Sequence, residues 1–519
     1  MGRKQGSHSF AGGALILAAS NILCRFLGFV FKVPLANLIG AEGIGYYGFA
    51  LQIFSMISAV SVSGLPIALS TTIAAAPLQE RVHILSASRP IFRITGLAGT
   101  ALLALGAGCI SHLAGSEPSK MALLVLAPAV FLSAIESLYR GYFEGIAQMK
   151  APALAQLLDA LTKLFLGTAV AWYLYRAGRP MEQVASGAVL GITAGTAVSA
   201  AVLAISGSSA ARGRGGRTAA GAIRRKLLRM ACPLTLGALF LSVLNAADAM
   251  MIMKRLQHTG LTQSEAAAAY GAYTGIALTV YSLPTAVTSA ICASVIPAVA
   301  SAGDLNTQTA RRRACRTLNH AFRLASVLVM FAAALFAVMP DFLLQMLFSR
   351  RGDIATAVPL LRMLAQAAVL SATCSMSASA LHAMGSMIVP VLAMAAGGVT
   401  KLVLNSCLIG QPAIRILGAP IGTTACFAVA AGVNLLAVCK KLHFCPPLLD
   451  GLLKPAGFAV LTVFLARKLT GSLRCFADPR VGTALALCMA GLLYVGLLLV
   501  GGVIKRDDWH LLKPLKQTK

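Results

Sequence analysis

The feature that most constrains this chain is a series of apolar runs, each about 20 residues long, which follow one another almost from end to end. They lie at 10–31, 46–75, 94–114, 120–139, 152–175, 184–205, 230–253, 267–299, 321–348, 354–383, 386–409, 417–439, 451–470 and 481–504. A composition of 58% hydrophobic and 12% charged residues excludes a soluble globular protein. The sequence therefore predicts an all-α polytopic membrane protein with about 14 transmembrane helices.

The net charge of +28 raises the question of a nucleic-acid partner, and the distribution of the charge answers it. With the N-terminus inside, the inner segments carry 27 of the 44 Lys and Arg residues and the outer loops carry 12. This is the positive-inside bias of membrane proteins, and it needs no nucleic acid. We expect a multi-pass protein of the cell membrane with both termini in the cytoplasm. No cleavable signal peptide is expected, because the first apolar run is too long for one.

The chain carries no evident ligand set or enzyme signature. Its twelve cysteines are scattered, and the close group of Cys439, His443 and Cys445 lacks a fourth metal ligand. Neither the glycine-rich loop of nucleotide-binding ATPases nor the H-E-x-x-H helix of zinc hydrolases occurs. We therefore predict a transporter rather than an enzyme, without a metal or cofactor.

An internal duplication divides the predicted spans into two groups. Residues 131–166 align without a gap on 369–404, with twelve identities in 36 positions, where composition alone would supply about three. Residues 187–202 align on 418–433 with nine identities in sixteen. The first alignment places a lysine inside the membrane in both copies, as Lys163 and Lys401. We predict two parallel six-helix lobes followed by a C-terminal helix pair.

The predicted domains follow from this duplication. Helices 1–6 form an N-lobe (1–205), helices 7–12 form a C-lobe (230–442), and residues 443–519 hold helices 13–14 and a cytoplasmic tail. Between the lobes lies a basic cytoplasmic linker (206–229), whose first part is rich in Gly, Ser and Arg. Its second part, from Ala219, either forms an amphipathic helix on the lipid surface or belongs to a solvated linker.

Ionisable side chains inside the apolar spans are the candidate functional residues, because each costs about 2.5–3.5 kcal/mol to insert. Arg25 and Lys32 in span 1 are seven residues apart, which places them on one helix face about 10 Å from each other. Two cations in this arrangement suit a diphosphate or another extended anion. The alternative, above all for Lys32, is that the side chain reaches the membrane interface.

Spans 4 and 5 each carry opposite charges four residues apart. Glu136 precedes Arg140, and Asp159 precedes Lys163. This spacing brings the two charges together on one helix face. Such pairs either line a polar pathway or neutralise each other structurally between packed helices.

The remaining candidates lie in the second copy. Four positions before Lys401 stands Gly397, so this lysine must find its counter-charge on another helix, in water or on a ligand. Arg362 in span 10 also has no neighbouring acid. Asn245 and Asp248 in span 7 are three residues apart on one face. They either bind a coupling cation or proton, or hydrogen-bond structurally.

Three prolines, Pro66, Pro284 and Pro297, are predicted to interrupt spans 2 and 8, near Gly64 and Gly275. Such breaks either let a moving lobe bend or are ordinary packing kinks.

The stretch GGALILAASNILCRFLGFVFKVPLANLIGAEGIGYYG, which contains Arg25, resembles the start of one branch of the multidrug/oligosaccharidyl-lipid/polysaccharide exporters. That branch comprises stage V sporulation protein B and polysaccharide-biosynthesis proteins. The resemblance implies two lobes that face each other in a V and alternate access across the membrane. Arg25 matches the arginine in the S-R-x-L-G-F motif of the lipid II flippases, whose further arginines in spans 2 and 8 have no match here. Spans 13 and 14 resemble the pair that forms a lipid-tail groove in those flippases.

Three functions follow from these observations. The first is a flippase that moves a polyprenyl-diphosphate-linked saccharide, such as a peptidoglycan precursor or polysaccharide unit, from the inner to the outer leaflet. Its predicted anion-binding residues are Arg25, Lys32, Lys163, Lys401 and Arg362. The second is an H⁺- or Na⁺-coupled multidrug antiporter, against which the excess of basic residues argues. Its predicted coupling residues are Asp248, Asp159, Glu136 and Asn245. The third is a non-transporting partner of cell-envelope synthases. The predicted partners are thus a lipid-linked anionic saccharide, the bilayer and envelope-synthesis proteins.

Overall fold

A computed structural model describes residues 2–208, 220–300, 307–442, 449–473 and 479–503. Within these ranges the chain is helical and contains no strand. The helices are α1 (Gly2–Val62), α2 (Leu65–Ala75), α3 (Leu78–Leu113), α4 (Lys120–Gly145), α5 (Lys150–Thr162), α6 (Thr168–Arg176), α7 (Met181–Ser208), α8 (Ala220–His258), α9 (Gln263–Gly271), α10 (Leu278–Ala300), α11 (Gln308–Val338), α12 (Pro340–Leu347), α13 (Arg351–Ala383), α14 (Ile388–Leu408), α15 (Gly418–Leu442), α16 (Lys454–Leu473) and α17 (Pro479–Val500). The Gly/Ser/Arg-rich part of the linker, His443, Cys445 and the C-terminal tail lie outside the described residues.

Eleven segments of the described chain are long and apolar enough to cross a membrane. One of them, Phe26–Ala75, is 50 residues long, more than twice what one crossing needs. It contains the end of predicted span 1 and all of span 2. Span 1 does not end at residue 31, because α1 continues and leaves helical geometry only at Gly40, with φ 69°. With the C-terminal pair α16 and α17, the helices accommodate fourteen spans, so the predicted all-α polytopic fold with about 14 transmembrane helices is confirmed.

The predicted interruptions are correct in one span and wrong in the other. Between α1 and α2 the helix breaks at Gly64, and Pro66 lies in the first turn of α2, where its missing N–H leaves no bond unmade. In span 8, α10 runs through both Pro284 and Pro297. The irregular turn of that span is instead π-helical, at Ala272–Ala277.

Two compact units divide the chain, Met1–Gly275 and Ile276–Lys519. We call them unit 1 and unit 2. The division falls inside span 8, so unit 1 includes α8, which corresponds to predicted span 7. The lobe boundaries inferred from the duplication remain a prediction.

Matching pairs of helices pack together within each unit. In unit 1, α4 packs against α2, α3 and α7, and α7 packs against α5. In unit 2, α13 packs against α10, α11 and α15, and α15 packs against α14. Under the alignment of spans, these are the same four pairings, which supports the duplication. The C-terminal helices α16 and α17 pack against each other, and α16 also packs against α11.

The helical second part of the predicted linker belongs to the core of unit 1. It begins at Ala220 as the start of α8, where Ile223 and Leu227 are buried in an apolar cluster formed with α2, α3 and α4. Arg224 Nε donates a hydrogen bond to Ala87 O on α3 at 3.0 Å. This segment is therefore packed against the protein on one face, with charged side chains exposed on the other.

Helices α1 and α9 meet along a line of glycines. A Cβ atom at Gly45 would collide with Ala267 O, and one at Gly271 would collide with Ala41 O. Because any side chain would separate the backbones here, only glycine permits this approach. We call this contact the glycine seam. Thr262 caps the N-terminus of α9 with a capping box, which fixes where this helix of the seam begins.

Candidate functional site

Four charged side chains come together on α4 and at the end of α5, and a further carboxylate of α4, Glu144, lies within electrostatic reach of Arg140. Lys163 Nζ donates a hydrogen bond to Asp159 Oδ2 at 2.6 Å, and Arg140 Nη2 donates to Glu136 Oε1. Glu136 is also near enough to Asp159 and Lys163 for their charges to interact. The two predicted pairs thus form one group, which we call the charged cluster.

Each cation of the charged cluster is more exposed than the carboxylate that holds it. The side chain of Arg140 is 30% exposed against 13% for Glu136, and that of Lys163 is 29% exposed against 21% for Asp159. The carboxylates therefore form the inner part of the cluster and the cations its accessible part. An anion that approached from the open side would meet the positive groups first.

Glycines on α7 allow α5 to lie close enough to form this arrangement. A Cβ atom at Gly195 would stand 2.7 Å from Asp159 Oδ1, and one at Gly191 would stand 2.5 Å from Gly167 Cα. Both distances are shorter than van der Waals contact. Between α5 and α6 the chain forms a π-helical turn at Lys163–Gly167, so Lys163 begins an irregular segment. Such turns often occur at functional positions.

The cluster also contains polar atoms that make no hydrogen bond within the described chain. Asp159 Oδ1, Gln156 Oε1 and Arg140 Nε are all buried and have no partner there. Buried polar atoms normally find a partner. These three therefore mark a place where water, a proton or a ligand group completes the bonding. Gln156 was not among the predicted residues, although its position three residues before Asp159 puts it on the same helix face.

Helix α1 forms a further wall of the cluster. Ser20 Oγ donates a hydrogen bond to Ala153 O of α5 at 3.1 Å. Cys24 lies within electrostatic reach of three members of the charged cluster, Asp159, Lys163 and Arg140. The backbone at Arg25 is helical, and its side chain is outside the described part. Lys32, two turns further along α1, is half-buried.

The other predicted residues lie on helices α8, α13 and α14. Asn245 is exposed whereas Asp248, three residues later on the same helix, is buried. In unit 2, Arg362 is exposed on α13. Lys401 is half-buried on α14 and is engaged in an interaction of its own. The sequence thus identified the cluster in unit 1 and did not identify which further residues accompany it.

Unit 2 has no counterpart of the charged cluster at the equivalent positions. Cys374 aligns with Glu136. Its Sγ lies 3.8 Å from Met394 Sδ and 3.7 Å from Asn434 Nδ2. Around it lie small and apolar side chains of α13, α14 and α15. Within the described residues, the ion pair of Glu136 and Arg140 is thus replaced in unit 2 by uncharged side chains.

A polytopic helical fold with a charged cluster half-buried among its helices is typical of membrane transporters, a class that includes flippases and exporters. The matches to known proteins agree. Residues 10–302 match the polysaccharide biosynthesis protein family, and the chain belongs to this family.

Several relatives come from Bacillus subtilis (strain 168). Stage V sporulation protein B is 25% identical over 515 residues, which cover 96% of this chain and 97% of that protein. The sporulation protein YkvU is 26% identical over 303 residues, or 56% of this chain and 66% of that protein. Lipid II flippase MurJ is 21% identical over 165 residues, or 29% and 30% of the two chains. The predicted family and the assignment as a transporter rather than an enzyme are confirmed.

Solved structures share the fold. The lipid II flippase MurJ in an inward closed conformation superimposes with a TM-score of 0.72 at 14% identity, covering 94% of this chain and 98% of that one. An inward-facing multidrug resistance transporter of the MATE family gives a TM-score of 0.63 at 16% identity, covering 81% and 94%. At these identities the likeness shows the fold alone.

Proposed function

We propose that this protein is a flippase that moves a polyprenyl-diphosphate-linked saccharide from the inner to the outer leaflet by alternating access. The observation that carries this proposal is the charged cluster, in which Arg140 and Lys163 are held inside apolar helices with their cationic ends more exposed than their carboxylate partners. A cation within the membrane needs a functional reason. A diphosphate that must cross the same membrane supplies one.

The two cations differ in ways that suit a diphosphate. The planar guanidinium of Arg140 can donate two parallel hydrogen bonds to one phosphate, whereas the ammonium of Lys163 is a compact charge with rotatable donors. The polyprenyl chain needs no polar contact, because it can remain in the bilayer while the headgroup occupies the protein. Arg25 and Lys32, predicted from the sequence of α1, remain candidate anion ligands of unit 1.

The substrate class is a peptidoglycan precursor or a polysaccharide unit, which the family and the sporulation relatives favour. Lys401 and Arg362, predicted from the duplication, remain candidate anion ligands of unit 2. The membrane potential contributes about 2.3 kcal/mol per elementary charge for each 100 mV, so it can bias the return of a charged site. The proposed setting is the cell membrane, with both termini in the cytoplasm.

Transport in proteoliposomes tests the proposal. A fluorescent polyprenyl-diphosphate-linked saccharide is placed in both leaflets, and its exposure to an impermeant quencher is followed after the protein is added. We expect Arg140→Gln combined with Lys163→Gln to lower the transfer rate at least tenfold. The matched control is Lys254→Gln, because Lys254 is an exposed cation of α8 outside the cluster. Equal rates in the double variant and the control would contradict the proposal.

A second candidate is an H⁺- or Na⁺-coupled multidrug antiporter. The observation that favours it is the buried Asp159 Oδ1, which has no hydrogen-bond partner within the described chain. Export of ethidium driven by a proton gradient, together with unchanged envelope synthesis in a deletion strain, would support this candidate. Loss of envelope synthesis without any lipid transfer in vesicles would instead support a non-transporting partner of the synthases.

A further inference from the structure

We infer that Gln156 recognises the first sugar of the transported lipid, by accepting a hydrogen bond from a hydroxyl or acetamido N–H of that sugar. This role rests on the proposed function and deepens it. Arg140 and Lys163 are the proposed ligands of the diphosphate, whereas Gln156 is assigned to the saccharide. It is therefore a specificity-determining residue of the same site.

The buried polar atoms of the site that lack a hydrogen-bond partner within the described chain are of two kinds. Arg140 Nε is a donor, whereas Gln156 Oε1 and Asp159 Oδ1 are acceptors. The two acceptors cannot satisfy each other, because neither oxygen carries a hydrogen. A buried acceptor that stays unpaired costs free energy. A ligand that completes this site must therefore supply hydrogen-bond donors as well as acceptors.

The three parts of a polyprenyl-diphosphate-linked sugar differ in what they can donate. The ionised oxygens of the diphosphate only accept hydrogen bonds, so they suit Arg140 Nε and give nothing to Gln156 Oε1. The polyprenyl chain is a hydrocarbon and neither donates nor accepts. The sugar alone carries O–H and N–H groups. By elimination, the hydrogen that Gln156 Oε1 accepts comes from the sugar.

The position of Gln156 on α5 suits a sugar that follows a bound phosphate. Gln156 lies one helical turn before Asp159 and two turns before Lys163, which places Gln156 and Lys163 on one face about 10 Å apart along the axis. A sugar joined to a phosphate near Lys163 can extend along this face toward Gln156. The glutamine is half-buried, and its long side chain can turn the amide toward the sugar without moving the helix.

Unit 2 shows that the helix packing does not require an amide at this position. The residue aligned with Gln156 is Met394, whose Sδ lies 3.8 Å from Cys374 Sγ. Methionine has a similar length and reach but no N–H or C=O group. Since it fills the equivalent place in unit 2, packing alone gives no reason for a buried amide oxygen in unit 1. Recognition of a hydrogen-bond donor on the ligand gives one.

Binding of two probes of equal charge to the full-length protein in nanodiscs tests this role. One probe is polyprenyl-diphosphate-linked N-acetylglucosamine, and the other is the methyl ester of polyprenyl diphosphate, which has no sugar. We expect Gln156→Met to raise the dissociation constant of the sugar probe about tenfold and to leave that of the methyl ester within about twofold. Gln411→Met, the same change at an exposed position of unit 2, is the matched control and leaves both constants unchanged.

Gln156→Met should fold at least as well as the wild type, because it removes a buried acceptor that has no partner in the described chain. A second measurement varies the ligand instead, with sugar probes that each lack one hydroxyl or the acetamido group. We expect one of them to bind the wild type about tenfold more weakly and to lose nothing further in Gln156→Met, since both changes remove the same hydrogen bond.

Two results would overturn the role of Gln156 and leave the proposed function intact. One is a loss in Gln156→Met that is equal for the sugar probe and the methyl ester, or absent for both. The other is a set of altered sugar probes that all lose as much affinity in Gln156→Met as in the wild type. If neither the sugar probe nor the methyl ester binds the wild type, the proposed function itself is contradicted, and the role of Gln156 with it.

Discussion

Units 1 and 2 use the same helix framework for different chemistry. A shift of 238 residues pairs Glu136 with Cys374, Arg140 with Ala378, Gln156 with Met394, Asp159 with Gly397 and Lys163 with Lys401. Unit 1 fills these five positions with two ion pairs and a glutamine, whereas unit 2 fills all but the last with small or sulfur-containing side chains. The lysine is common to both units, whereas the aspartate four residues before it in the chain occurs only in unit 1.

The helix framework itself coincides closely in the two units. A Cβ atom at Gly191 would lie 3.2 Å from Lys163 O, and one at the equivalent Gly422 would lie 3.3 Å from Lys401 O. One helical turn further along, the glycine lies on α7 in unit 1 but on α14, the equivalent of α5, in unit 2. Gly195 of α7 faces Asp159 in unit 1, whereas Gly397 of α14 faces Cys426 in unit 2. Helix spacing is set by the backbone contacts, so it can be the same in both units although their polar side chains differ.

The largest effect is expected when a carboxylate is removed from unit 1. Asp159→Ala leaves Lys163 without its counter-charge and should lower the free energy of unfolding by about 3 kcal/mol. Adding Lys163→Met should recover most of this loss. The comparison variant is Gly397→Ala, whose Cβ would stand 2.5 Å from Cys426 O. Its cost is steric, so Lys401→Met should not recover it. Unfolding in mixed micelles measures all four variants, and equal rescue in both units would refute the distinction.

Next come the two equivalent glycines, which test how similar the frameworks are. Gly191→Ala meets backbone, at Gly167 Cα, and should cost about 2 kcal/mol in the free energy of unfolding. Gly422→Ala meets the end of the Asn405 side chain, which can move, and should cost about 1 kcal/mol. The control is Gly432→Ala, where no atom lies within 4 Å of the new Cβ. If Gly422→Ala proves the costlier substitution, the two helix contacts differ more than their geometry indicates.

A smaller effect is expected from a polar atom placed in the apolar positions of unit 2. Cys374→Ser buries a hydroxyl whose described polar neighbour is the Asn434 amide, among otherwise small and sulfur-containing side chains, and should lower the free energy of unfolding by about 1 kcal/mol. Cys24→Ser is the matched change in unit 1, where the thiol lies beside charged groups, and should be nearly neutral. Thermal unfolding of the two variants compares them directly. A cost that is larger at Cys24 would reverse the proposed contrast between the units.

The smallest expected effect on folding belongs to an exposed cation of unit 2. Arg362→Gln should change the free energy of unfolding by no more than about 0.5 kcal/mol, because the side chain is exposed on α13. Its transport rate is the informative measurement. A large loss of lipid transfer with unchanged stability would extend the anion-binding surface to unit 2, whereas no loss would confine it to unit 1.

The sequence was sufficient for the parts of the structure that depend on spacing and composition. Apolar runs predicted the number of spans, and the spacing of four residues predicted both ion pairs. It was insufficient where the outcome depends on contacts between helices. Residues 245 and 248 share a helix face by spacing, but packing buries only Asp248. Pro284 lies inside a helix that continues through it, because a proline can be accommodated where neighbouring helices and polar groups satisfy the freed carbonyl.

Glycine's lack of a side chain gives the seam between α1 and α9 a further property. No rotamers are fixed when Gly45 and Gly271 come together, so closure carries no side-chain entropy cost at these positions. The attraction that remains is dispersion between touching backbones, which declines steeply once they part by an ångström. The attraction between the two backbones is therefore either close to its full value or small. We expect α1 and α9 to be either in full contact or separated, with few intermediate states.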